Sequence, residues 1–90
     1  FMKDFSVKDF ERYGKEYGVY VWKGVELALI QEPFLGEDVF GDACYYAAAI
    51  DDQGNEWGVK WEVLPGIDID THADAGDHCD WENPTHAKMI

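Results

Sequence analysis

The chain has 90 residues, 19 acids against 7 bases for a net charge of −12, and 47% apolar residues. That length makes one small domain, and its 14 aromatic rings are enough to build a core, so global disorder is excluded. The charge excludes the basic footprint of a nucleic-acid binder and a preference for anionic membranes, and no run of 18 apolar residues offers a membrane span.

Met2 is the expected natural start, so Phe1 is set aside, and no charged-then-apolar leader suggests secretion. Two cysteines are too few for a disulfide scaffold, which makes the cytoplasm the expected compartment. The first element is a helix over residues 7–17. Ser6 is its N-cap, Asp9 completes a shortened capping box, and Phe5 and Phe10 are spaced for a hydrophobic staple. Val7, Phe10, Tyr13 and Tyr17 form one apolar stripe, and Gly14 or Gly18 ends the helix.

After Gly18 the period shortens. Val19–Trp22 predicts a short strand, and Lys23-Gly24 a hairpin turn or a bulge. Val25–Gln31 is apolar on both faces, as in a covered strand, and Pro33 ends it. Residues 34–43 read as an acidic, Gly-rich loop. Ala43–Ile50 and Glu56–Leu64 predict a hairpin joined by Asp51–Asn55, with Trp57, Val59, Trp61 and Val63 on one buried face.

Residues 67–90 show neither period and read as an irregular tail anchored by Trp81 and the Asn83-Pro84 turn. The expected fold is α+β: one N-terminal amphipathic helix packed on a three- to four-stranded antiparallel meander over residues 2–66, with the acidic tail 67–90 docked on it.

The charge is lopsided. Residues 1–24 carry +1, whereas residues 25–90 carry −13. Asp68 and Asp70 are spaced about 6.6 Å apart if extended. Asp74, Asp77 and Asp80 recur every three residues, lining one side of a helical turn or a polyproline-type chain. With Glu82, and with Glu37, Asp38 and Asp42 of the earlier loop, they form the candidate partner-binding surface. Such rows suit a basic protein groove and can imitate a nucleic-acid backbone. The plain alternative is a solvated tail that keeps the chain soluble.

His72, His78, Cys79 and His86 are the candidate metal ligands, since imidazole and thiolate suit zinc. Their spacing fits no zinc-finger pattern, so no cofactor is expected, and the alternative is surface histidines with an incidental thiol. The run Asp68-x-Asp70-x-His72-x-Asp74 lacks the calcium loop's glycine, with Ala73 in its place, and its final glutamate, with Cys79 there. No nucleophile elbow, phosphate loop or HExxH motif is present. Cys44 reads as a small core residue, and acids beside Cys79 are expected to raise its pKa, so no enzyme is expected.

Val21-Trp22-Lys23-Gly24, the run Ile50–Trp57 and Cys79–Pro84 together resemble small acidic proteins carried by bacterial phages and other mobile elements. The resemblance spans residues 17–84 and implies no catalytic residues. It implies an inhibitor of host nucleases or defence complexes, in some cases by DNA mimicry. The function expected is therefore a non-enzymatic protein-binding module with an acidic surface. The alternatives are a small metal-binding protein or an assembly component whose charge only aids solubility.

Overall fold

The computed structural model describes residues 6–71 and 74–90. Helix α1 runs Val7–Tyr17, as the stripe predicts. Ser6 and Asp9 make the reciprocal capping box: the Ser6 amide donates to the Asp9 carboxylate at 2.9 Å, and the Asp9 amide donates to Ser6 Oγ at 3.3 Å. The Ser6 amide, joined by the Ser6 hydroxyl and by Arg12, holds the Asp9 carboxyl below its ordinary range against the effect of desolvation. The staple expected from Phe5 lies outside the described residues.

Strands β1 (Val19–Trp22) and β2 (Val25–Leu29) form a tight hairpin. Lys23 and Gly24 both have positive φ, 48° and 81°, the combination of a type I′ turn, so this site is a hairpin turn and not a bulge. Strands β3 (Phe34–Glu37), β4 (Ala43–Ile50), β5 (Glu56–Glu62) and β6 (His86–Met89) complete an antiparallel sheet.

The sheet order is β1-β2-β4-β5-β6, and β3 pairs with the same edge of β4 as β2 does. In effect β2 and β3 are one strand broken in the middle. Leu29 faces Ala49 and Phe34 faces Tyr46, so five steps on one strand match three on the other. The Gln31 side chain repairs the gap: its Oε1 accepts the Ala48 amide at 2.9 Å, while the Ile30 amide donates to the Ala48 carbonyl at 3.0 Å.

Three expectations are corrected. Among the described residues the sheet has six strands, where three or four were expected. The tail is not irregular throughout, because residues 86–89 pair with β5 and bury Ala87 opposite Val59. Residues 34–37, expected as loop, form a strand although Phe34 and Leu35 stay half exposed.

The sheet curls strongly. Trp22 of β1 meets His86 of β6 with ring centroids 5.8 Å apart, although these strands stand at opposite ends of the order. Inside the curl lie Leu27, Leu29, Tyr45, Ala47, Ala49, Val59 and Trp61, closed by Cys79 and flanked by Tyr20 and Trp81. The lid over these core residues is therefore the C-terminal segment. The helix, expected as that lid, buries no residue fully. It rests on the other side of the β1–β2 ladder, where Gly14 sits so close that a Cβ would lie 2.7 Å from Val19 Cγ2 and 3.8 Å from Ala28 Cβ.

One acid belongs to this framework. Asp51 is 5% exposed and accepts four bonds: the Gln53 and Asn55 amides on Oδ1, and Asn55 Nδ2 and Trp57 Nε1 on Oδ2, all between 2.9 and 3.1 Å. Burial works to raise its pKa, but these donors outweigh burial and hold it below the usual value. The β4–β5 turn is thus built around one filled carboxylate.

Candidate functional site

The site grows from the loop between β3 and β4. Asp38 Oδ1 accepts the Phe40 amide at 2.8 Å and the Asp42 amide at 3.0 Å. The backbone closes the same ring, with the Asp38 amide on the Asp42 carbonyl at 2.9 Å and the Gly41 amide on the Asp38 carbonyl at 3.0 Å. The Asp42 amide, aided by that of Phe40 and by the charge of Lys60, holds the Asp38 carboxyl below its ordinary value against the opposing effect of desolvation. The closed loop thrusts Val39 and Phe40 outward, 94% and 85% exposed.

Facing this loop is the end of β5 and the turn after it. The Ile67 amide returns to the Leu64 carbonyl at 3.1 Å, which brings residues 67–69 back alongside β5. Asp68 then accepts the Asp70 amide at 2.9 Å. Between the two walls lies an open cleft of about 460 Å³. Its carboxylates are Asp38, Asp42, Glu62 and Asp68, and its apolar lining includes Val63, Leu64, Ile67 and Ile69. One base stands near, since Lys60 Nζ lies 3.9 Å from Glu62 Oε2.

Of the nine candidate acids, Asp38, Asp42 and Asp68 meet at this cleft. Glu37 precedes Asp38 on β3, exposed, with its carbonyl taking the Tyr46 hydroxyl at 3.1 Å. Asp70, Asp74, Asp77, Asp80 and Glu82 are exposed outside the cleft lining. Asp74 accepts the Gly76 amide at 2.9 Å at the head of a short 3-10 turn, and Asp80 accepts Asn83 Nδ2 at 3.0 Å. Their even spacing therefore serves turn formation as well as display. Glu62 is not among the nine candidate acids. Its place in the cleft follows from its pairing with Cys44, beside Ala43.

The His/Cys set is dispersed. His78 is buried, and its Nδ1 lies 2.8 Å from the Tyr45 hydroxyl. Cys79 is buried in the core, and burial, followed by the nearby Cys44, pushes its thiol up to about 11. The acids beside it in sequence are not the cause. His78 is therefore not the surface histidine of the plain alternative. His86 is exposed against Trp22, and His72 lies outside the described residues. Among the described residues no three His, Cys, Asp or Glu side chains are placed to share a metal ion. Cys44, fully buried, is the small core residue expected.

Comparison of the chain with family models, with curated proteins and with solved structures finds no match. Among the described residues no helix is long and apolar enough to cross a membrane.

Proposed function

We propose that this chain is a non-enzymatic protein-binding module that grips a basic partner through the cleft between the 38–42 loop and residues 62–69. The observation that carries this reading is the convergence of Asp38, Asp42, Glu62 and Asp68 on one apolar-floored cleft. Carboxylates on the rim steer a Lys- or Arg-rich surface, and the apolar lining offers area that excludes water. Phe40 and Val39 project from the rim as anchors. The outlying acids, Asp70, Asp74, Asp77, Asp80 and Glu82, add long-range attraction. The sharper version of this reading is an inhibitor that occludes a nucleic-acid-binding groove, in the manner the resemblance to phage-borne acidic proteins implies.

The test is capture of partners from the source cell's lysate on the immobilised chain, at low salt and at about 1 M salt, where the Debye length falls to about 3 Å. The parent retains a basic protein at low salt and releases it at high salt. The variant Asp42→Asn/Glu62→Gln/Asp68→Asn, still folded, loses it. Equal retention by that variant overturns the proposal.

A further inference from the structure

A second hollow of about 300 Å³ opens where the helix end, the β2–β3 break and the C-terminal lid meet. It shares no lining residue with the acidic cleft. Four of its walls are aromatic, Tyr17, Tyr20, Tyr45 and Trp81, and two carboxylates, Glu16 and Glu32, stand among them. Both glutamates are exposed, whereas the rings are half-buried or buried.

These rings are held before any ligand arrives. Tyr45 and Trp81 meet at a steep angle of 69° with centroids 5.1 Å apart, which makes a corner. Trp61 stands behind, 5.3 Å from Trp81 and 5.7 Å from Tyr20. The Trp81 indole N–H donates to the Gly76 carbonyl at 3.1 Å, and the Tyr45 hydroxyl is engaged with His78. With those polar groups taken, ring surface is what Tyr45 and Trp81 have left to offer a guest. A neutral apolar guest would gain nothing from the two glutamates. A hydrogen-bonding anion would be repelled by them and by the charge of −12.

We infer that this hollow binds an organic cation, an alkylammonium or guanidinium group seated against the Tyr17–Tyr20–Tyr45–Trp81 rings with Glu16 and Glu32 at its charge. Ring faces carry negative quadrupole density and attract soft cations, most strongly where water is excluded. The chain already makes such contacts with its own bases elsewhere: Arg12 stands 4.2 Å from the Tyr13 centroid, and Lys23 Nζ 5.1 Å from that of Trp22. The inference stands without the acidic-cleft reading, because different residues carry it.

The experiment is a titration of the full chain followed by two-dimensional NMR of its Trp and Tyr rings. The probes are choline, its neutral isostere 3,3-dimethylbutanol, and acetyl-trimethyllysine amide. Choline and the lysine derivative should move the Trp81 and Tyr17 signals, and the isostere should bind about tenfold or more weakly. Tighter binding of the lysine derivative identifies a side chain of a partner protein as the source, and tighter binding of choline a free small cation. Glu32→Gln, an exposed change, and Tyr17→Leu should each weaken choline several-fold. Asp42→Asn/Glu62→Gln/Asp68→Asn should leave it within about twofold, since exposed distant charges are screened. Equal binding of the isostere, ring signals unmoved up to the solubility limit, or equal loss in the acidic-cleft variant overturns the inference.

Discussion

Two acid-rich turns of this chain look alike in sequence and behave differently. One is Asp51–Asn55 between β4 and β5, and the other is Asp68–Asp80 leading into the lid. In the first, the Asp51 carboxylate is buried and takes four donors. In the second, Asp68, Asp74 and Asp80 also cap nearby donors, but each remains exposed. The difference lies in what stands next to the carboxylate. Asp51 has an indole N–H from Trp57 and an amide side chain from Asn55 aimed at it, so a buried charge is fully hydrogen-bonded. The acids of the second turn keep water as their main solvent and stay available to a partner.

The largest effect expected tests that contrast within two adjacent residues. Asp51→Ala strands several donors in a buried turn and should cost about 3 kcal/mol, measured by urea unfolding. Asp52→Ala, exposed one position later, should stay within about 0.5 kcal/mol. The same carboxylate sets an acid limit. Its folded pKa lies below the ordinary value of 3.8, so its contribution is fully present above that pH and is lost as pH falls through the lowered value. Asp51→Asn should flatten this part of the acid-unfolding curve. A parent curve that overlays the variant below pH 3.8 would contradict the assignment.

Next in size is the anchor of the lid. Tyr45→Phe removes the hydroxyl that meets His78 inside the core and should cost about 1 to 2 kcal/mol. Hydrogen exchange should show the loss concentrated at residues 78–81, the segment that covers the curl. A uniform loss across the sheet would mean that the lid and the sheet open as one unit. At the opposite end of the chain, Ser6→Ala removes half of the capping box and should cost about 1 kcal/mol.

The elements legible in the sequence are those whose signals are local. Ser6, Asp9 and the Val7–Tyr17 stripe define α1, and the bounds of β1 and β4 follow from β-branched and aromatic runs between Gly and Asp. The strands that escaped notice, β3 and β6, are short and lean on register with β4 and β5 more than on their own pattern. The lid was hidden for the same reason. His78 and Cys79 look polar and reactive in a string of acids, and only the fold shows Tyr45 and the core beneath them. The cleft needed three distant segments at once. Asp38, Glu62 and Asp68 meet because β3 and β5 flank β4 and because the turn after Leu64 doubles back.

The smallest stability effect is the one that bears most on function. Asp42, Glu62 and Asp68 are exposed, unlike the buried Asp51, and like charges gathered at one cleft repel. Asp42→Asn/Glu62→Gln/Asp68→Asn should therefore change unfolding free energy by no more than about 0.5 kcal/mol, with a small gain at low salt where repulsion is least screened. A loss of several kcal/mol would place these acids in the same class as Asp51, as structural groups. A neutral or slightly stabilised variant that no longer holds a basic partner would separate the two classes of acid within one chain. It would show that the fold retains this cluster for binding, at a small cost in its own stability.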